Sequence, residues 1–99
     1  MESICVYCGS ADGVAGKYLQ AARDTGKTLA RHGLTLIFGG GRTGLMGALA
    51  DSVLEAGGKV IGVIIENMNT PALAHTGLTR MEVTATIHQR KARMYELAD

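Results

Sequence analysis

The chain has 99 residues, of which 46% are hydrophobic and 19% charged, and its formal net charge is +1 at pH 7. This length and composition predict a single soluble α/β domain over residues 1–99 and exclude a disordered chain. The near-neutral charge excludes general attraction to nucleic acid or membrane surfaces, and the apolar runs are too short to cross a bilayer. No charged segment with a long apolar stretch opens the chain, so we expect no signal peptide and a cytoplasmic protein.

The first third of the chain predicts a strand followed by a helix. Ser3–Cys8 is a nearly continuous apolar run, typical of a parallel strand buried on both faces. Residues 14–32 carry apolar or small side chains at helical spacing, and Gly33 supplies a stop. Cys5 and Cys8 form a CxxC pattern, but this spacing puts the two sulfurs on opposite faces of a strand, and no second Cys or His pair completes a zinc site. We therefore interpret both cysteines as core residues.

The same alternation of strand and helix continues through the middle of the chain. Thr43 is available as the N-cap of the second helix, which Gly57 and Gly58 end. Strand–helix repeats with right-handed crossovers predict an open, doubly wound parallel sheet with the strand order 3-2-1 and leave the position of a fourth strand open. The remaining predicted elements are strands over 34–38, 59–65 and 78–84, the second helix over 45–54, and a loop over 66–77 that holds the only proline.

A capping box from Thr86 to Gln89 predicts the start of the last helix. At about 100° per residue, the apolar side chains of Ile87, Met94 and Ala98 fall on one face of this helix. Two cations, Arg90 and Lys91, share that face. The polar residues on the opposite face are Gln89, Arg93 and Glu96. The two cations either lie at the rim with packed aliphatic stems, or face an anion in a cleft, since an unpaired buried charge is costly. Their position near the helix start favours the second interpretation.

The segment FGGGRTGLMG, residues 38–47, places five glycines in ten positions before a helix. Such a loop presents uncovered N–H groups and the positive end of the helix dipole, which together bind phosphate. A tight turn or a close helix–strand contact needs one glycine, so the run favours anion binding. The loop lacks the Lys-Ser/Thr ending of a P-loop, which speaks against triphosphate hydrolysis.

Other unusual residues are expected at the same edge of the sheet, outside the carboxyl ends of the strands, where doubly wound sheets bind ligands. They are residues 8–10 after the first strand, Glu66 after the third, and Arg90 with Lys91 after the fourth. A dinucleotide site is an alternative, because Gly39, Gly41 and Gly44 satisfy G-x-G-x-x-G and Glu66 has the spacing of a ribose-binding acid. Two observations speak against a dinucleotide site. The G-x-G-x-x-G pattern follows the second strand and not the first, and such a site gives Arg90 and Lys91 no role. A non-enzymatic nucleotide-binding module is a third hypothesis.

Four motifs in this order, ICVYCGS, GGGRTGLMG, AHTGLT and HQRKARM, resemble the LONELY GUY family of cytokinin-activating enzymes. The resemblance implies a Rossmann-like fold, cytoplasmic homodimers or larger assemblies, and no metal or redox cofactor. It implies hydrolysis of the N-glycosidic bond of AMP or a cytokinin riboside 5'-monophosphate, which releases the base and ribose 5-phosphate. It makes Arg90 the catalytic arginine, with Lys91 beside it in the substrate site. The other substrate-binding residues that it implies are Gly9, Ser10, Gly39, Gly40, Gly41, Gly44, Met46 and Gly47.

One family motif has no counterpart in this sequence. In the family, a strand ending in PGGxGTxxE follows the last motif; its glycines and threonine hold the phosphate, and its glutamate is catalytic. The sequence ends at YELAD, so we expect an N-terminal half with an incomplete sheet that is inactive alone. Cleavage of the glycosidic bond builds oxocarbenium character that a carboxylate must stabilise. Neither Glu66 nor Glu82 is assigned to that role.

Overall fold

A four-stranded parallel sheet forms the centre of the computed structural model, which describes residues 3–6, 16–42 and 44–98. The strand order is β1-β2-β3-β4, and all three neighbouring pairs are parallel. The predicted order of the first three strands is therefore confirmed, and the fourth lies on the outer side of β3. The elements are β1 (Ser3–Cys5), α1 (Gly16–Arg31), β2 (Thr35–Phe38), α2 (Gly44–Glu55), β3 (Val60–Ile65), a 3-10 turn (Glu66–Met68), β4 (Arg80–Thr84) and α3 (Ile87–Leu97).

Helices cover both faces of the sheet, as the predicted doubly wound arrangement requires. Successive residues of a strand point to opposite faces, so the apolar runs of β2 and β3 supply two cores. The larger core, under α1 and α2, is built from Leu29, Leu36, Phe38, Met46, Leu49, Ala50, Val53 and Val60. The smaller core, under α3, is built from Ile37, Val63 and Met94, with Cys5, Ile61 and Leu97 packed against it. Cys5 packs against the smaller core but is only partly buried, so its core assignment is confirmed in part. Cys8 lies outside the described residues.

A close contact between α1 and α2 holds α2 in place. Gly26 is buried, and a Cβ atom there would lie 2.6 Å from the Cβ atom of Ser52 and 2.9 Å from the carbonyl oxygen of Leu49. The hydroxyl of Ser52 donates a hydrogen bond to the carbonyl of Arg23. Because α2 follows the glycine-rich loop directly, this contact also fixes the direction in which the loop enters the helix. The predicted N-cap of α2, Thr43, lies outside the described residues.

Helix α3 begins beside β4 and crosses the sheet back to β1. The Thr86 hydroxyl accepts a hydrogen bond from the Gln89 N–H at 3.1 Å, which confirms the predicted cap. The Gln89 side-chain oxygen accepts in turn from the Ala85 N–H, one residue before the partner that a capping box predicts. At the far end, the Ser3 hydroxyl donates to the carbonyl of Leu97 at 2.6 Å. Within the part of the chain that the structure describes, no helix combines the length and apolar character needed to cross a bilayer.

Candidate functional site

Two residues from separate sequence motifs meet at the carboxyl end of β2. Arg90, in the first turn of α3, is half-buried, and its Nε–H donates a 2.8 Å hydrogen bond to the carbonyl of Val63 on β3. Its Nη2 atom lies so close to Gly39 that a Cβ atom at this glycine would overlap it. The guanidinium group therefore lies directly on the backbone of the glycine-rich loop, and Gly39 is the residue that admits it.

The inward direction of Arg90 follows from the apolar face of α3. Met94, one turn further on, is fully buried against Ile37 and Val63 and sets the rotation of the helix. The predicted inward placement of Arg90 is thus confirmed. The predicted inward placement of Lys91 is wrong, because its side chain is exposed. Ile87, predicted on the same apolar face, keeps 45% of its surface exposed.

Arg93, which helical spacing places opposite the apolar face of α3, is bound to a carboxylate of the sheet. Its Nε and Nη2 atoms donate to the two carboxylate oxygens of Glu82 on β4 at 2.6 and 3.1 Å. Arg80 also donates to Glu82, at 2.8 Å, and Arg93 lies 3.6 Å from Glu96. These arginines, Arg93 above all, hold the pKa of the Glu82 carboxyl below its ordinary value. The pairing joins α3 to β4 one turn after Arg90 and so helps to fix the helix that carries it.

Two glycines of the loop are needed for the fold itself. Gly40 has a φ angle of +82°, which L side chains rarely adopt, and a Cβ atom there would lie 3.0 Å from the sulfur of Met81. A Cβ atom at Gly47 would overlap the carbonyl oxygen of Arg42, so this glycine lets the loop approach the first turn of α2. The protein's own packing therefore explains part of the glycine run that the sequence analysis attributes to a ligand.

None of the described residues gives Gly41 a comparable reason to be glycine. Its φ angle is not positive, and the nearest described atom to a Cβ built there is the Leu73 carbonyl oxygen, at 3.9 Å. A methyl group at this position would make only an ordinary van der Waals contact with the described residues. Gly41 is therefore the position in the loop where no described residue explains the absence of a side chain.

A segment that we call the strap, residues 70–77, lies along one side of the loop. The Arg42 N–H donates to the Leu73 carbonyl at 3.0 Å, and the His75 N–H donates to the Gly40 carbonyl at 2.8 Å. These two bonds enclose an antiparallel bridge between Gly41 and Ala74. In a bridge of this kind, the enclosed residues direct their own N–H and C=O groups away from each other. The N–H of Gly41 therefore points to the side of the loop opposite the strap.

The remaining predicted site residues fall into different surroundings. Met46 is 5% exposed and belongs to the larger core. Gly44 has a φ angle of +62° and is the first residue of α2. Gly9 and Ser10 lie outside the described residues. Glu66, the acid that a dinucleotide site would require, is exposed at the start of the 3-10 turn.

The structure also brings together polar groups near the site whose contacts the sequence pattern does not predict. The ring of His75 contacts Asp51 of α2 and the backbone of Gly77. The carbonyl of Val63 orients Arg90, and Glu82 binds Arg93. Of these, only His75 lies within a motif, AHTGLT, that could have drawn attention to it.

Comparison with known proteins gives one family match over most of the chain. The profile of the SLOG cluster4 family matches residues 3–93. A cytokinin riboside 5'-monophosphate phosphoribohydrolase of Rhodococcoides fascians is 48% identical over 99 residues, which are 99% of this chain and 50% of that protein. The cytokinin riboside 5'-monophosphate phosphoribohydrolase LOG of Oryza sativa subsp. japonica is 40% identical over 96 residues, 97% of this chain and 40% of that protein. This chain thus spans half or less of the length of these two relatives.

A solved structure shows the same fold. The molybdenum cofactor carrier protein of Chlamydomonas reinhardtii superposes with a TM-score of 0.72 at 29% identity, over 86% of this chain and 50% of that one. The α/β, Rossmann-like fold and the family resemblance predicted from the four motifs are both confirmed.

Proposed function

Because this chain belongs to the SLOG cluster4 family, we propose that it forms part of a nucleoside 5'-monophosphate phosphoribohydrolase. The reaction is hydrolysis of the N-glycosidic bond of AMP or of a cytokinin riboside 5'-monophosphate, which releases the base and ribose 5-phosphate. The observation that carries the proposal is the Arg90 guanidinium lying on Gly39, two residues before the unobstructed backbone of Gly41. The relatives named as phosphoribohydrolases support the same reaction.

The glycine-rich loop binds the 5'-phosphate in this proposal. The N–H of Gly41 points away from the strap, and α2 adds the positive end of its dipole at the end of the same loop. A phosphate held in this way positions the ribose, so its binding energy contributes to the reaction at the neighbouring glycosidic bond. Gly40, Gly44 and Gly47 shape the loop, and Gly39 admits the arginine.

Arg90 acts on the bound nucleotide through the end of its side chain. Its Nε is bonded to Val63, while neither Nη group has a hydrogen-bond partner among the described residues. A guanidinium stays charged at all physiological pH values and donates in a planar fork, which suits a phosphate or the ribose hydroxyls. Lys91, exposed on the next position of α3, adds positive charge at the rim.

The carboxylate that the reaction requires is not assigned to a residue of this chain. Glu82 is engaged by Arg93 and Arg80, and Glu66 is exposed at the start of the 3-10 turn. We propose that a PGGxGTxxE segment outside these 99 residues supplies it, and that the chain alone releases no base. We further propose a cytoplasmic homo-oligomer that uses no cofactor, as the resemblance implies.

Substitution of Gly41 tests the proposal, with Gly40 as the matched control. In the protein expressed from its native gene, AMP should raise the melting temperature much more than adenosine does, because only AMP carries the phosphate. Gly41→Ala should abolish that difference, while its own stability stays equal or rises by about 0.4–1 kcal/mol, the usual effect of removing glycine's freedom in the unfolded chain.

Gly40→Ala should instead destabilise the fold by about 1–3 kcal/mol, because alanine is strained at its φ angle. Equal stabilisation of the wild type by adenosine and AMP, or full AMP binding by Gly41→Ala, would contradict the proposal. A base-release assay on the same preparations then tests the reaction.

A further inference from the structure

His75 makes a defined hydrogen bond at each of its two ring nitrogens. Nδ1 accepts a 2.9 Å hydrogen bond from the Gly77 N–H, and Nε2 lies 2.5 Å from a carboxylate oxygen of Asp51. Since Nδ1 accepts, the neutral ring carries its proton on Nε2 and donates it to Asp51. The side chain is 11% exposed, whereas that of Asp51 is 56% exposed. Because both ring nitrogens are hydrogen-bonded, the ring connects separate segments of the chain.

The segments that His75 joins are those that shape the proposed phosphate site. Its ring binds Asp51 in the middle of α2 and Gly77 at the end of the strap, and its own N–H binds the carbonyl of Gly40. One residue thus connects the helix, the strap and the glycine-rich loop. Arg42 adds a second connection, because its Nη1 atom donates to the carbonyl of Pro71 at 2.6 Å.

The loop needs such an external support because its own sequence gives it little stiffness. Three consecutive glycines, Gly39 to Gly41, lose more conformational entropy on ordering than residues with side chains do. Without the bridge to the strap, the N–H of Gly41 would be free to turn away from its present direction.

We propose that His75 is a positioning residue for phosphate binding. By locking the strap to α2, it holds the loop in the conformation in which the Gly41 N–H faces the ligand. The identity of the ligand as a nucleotide 5'-phosphate rests on the proposed function, while the ordering of the loop by His75 does not.

Three substitutions separate the two hydrogen bonds of the ring. His75→Asn places an oxygen near the position of Nδ1 and keeps the acceptor for Gly77, while His75→Gln places an N–H near Nε2 and keeps the donor to Asp51. His75→Ala removes both bonds. His32→Ala, at an exposed turn residue directly after α1, is the control.

The first measurement follows amide hydrogen exchange by NMR in the protein without ligand. The amides of Arg42 and His75 donate across the bridge, so their exchange should accelerate about tenfold or more in His75→Ala, the scale for loss of a hydrogen bond to a charged group. Asn and Gln should each restore part of the protection, and His32→Ala should leave it unchanged. Unchanged exchange in His75→Ala would overturn the proposal whatever the ligand is.

The second measurement compares the affinities for AMP and adenosine. His75→Ala should weaken AMP binding about tenfold and adenosine binding much less, because the loop contacts the phosphate. Equal weakening of both ligands would overturn the positioning role, since a general loss of structure has that effect. If the wild type does not prefer AMP, the proposed function fails, and the exchange measurement alone decides whether His75 orders the loop. If His75→Ala does not fold, the exchange and affinity measurements are made on His75→Asn and His75→Gln.

Discussion

Gly39→Ala is expected to change stability with opposite signs in the presence and absence of Arg90. The three heavy atoms nearest to a Cβ built at Gly39 all belong to the Arg90 guanidinium. The φ angle of Gly39 is not positive, so alanine fits the backbone itself. The only described obstacle to a methyl group is therefore the end of one flexible side chain, which must move away and give up its bond to Val63.

The size of the effect follows from two contributions, the lost hydrogen bond to Val63 and the change in unfolded-chain entropy when alanine replaces glycine. A hydrogen bond from a charged donor contributes about 1.5–3 kcal/mol, and we take the lower end because Arg90 is only half-buried. Replacing glycine by alanine where the backbone permits it stabilises by about 0.4–1 kcal/mol through the unfolded chain. Gly39→Ala should thus destabilise the wild type by a net value of about 0.5–1 kcal/mol and stabilise Arg90→Ala by about 0.4–1 kcal/mol. The coupling energy between the two positions is then about 1.5 kcal/mol.

Urea unfolding of the wild type, both single variants and the double variant measures this coupling directly. Gly41→Ala is the control, because its methyl group would make only an ordinary van der Waals contact with the Leu73 carbonyl and its effect should be the same with or without Arg90. If Gly39→Ala had the same effect in both backgrounds, Arg90 would not lie on Gly39, and the geometry on which the proposed site depends would be refuted.

Two further predictions concern the charged groups of β4 and α3. Arg93 holds the pKa of Glu82 below its ordinary value of 4.5, so their pairing stabilises the fold above that pH and the stabilisation is lost as the pH falls below it. Urea midpoints should therefore fall less between pH 7 and pH 3 in Glu82→Gln than in the wild type; parallel curves would contradict the pairing. In the native gene product, Arg90→Ala should lower turnover about a hundredfold and lower the melting temperature only by the amount that its one bond to Val63 contributes. Arg93→Ala should lower the melting temperature and leave turnover close to that of the wild type. Equal losses of activity would contradict their separate roles.

The parts of the fold and site that the sequence predicts are those set by local pattern. The alternating apolar runs place the parallel strands, the Thr86 to Gln89 signal starts α3, and helical spacing turns Arg90 inward with Met94. Each of these depends on residues within one element and its immediate flanks. The sequence does not decide the position of β4, because a right-handed crossover reaches either flank of a sheet.

The contacts that complete the site join residues far apart in the sequence, and no local pattern records them. Glu82 and Arg93 belong to different elements, so helical spacing alone does not indicate their pairing. His75 and Asp51 are 24 positions apart, and their pairing depends on how the strap lies against α2. The glycine run also does not show why position 39 must be glycine, because the side chain that occupies the space there, Arg90, comes from α3.

The contact between Gly39 and Arg90 also constrains how this protein family can diverge. A lineage cannot acquire a larger residue at position 39 while the arginine keeps its present place, because the first methyl group already overlaps the guanidinium. The two positions should therefore covary, with side chains at position 39 found only in relatives that have a smaller or redirected residue at position 90. An invariant glycine at position 39 would accordingly reflect selection for the arginine, so conservation of Gly41 would be the better evidence for the proposed phosphate contact.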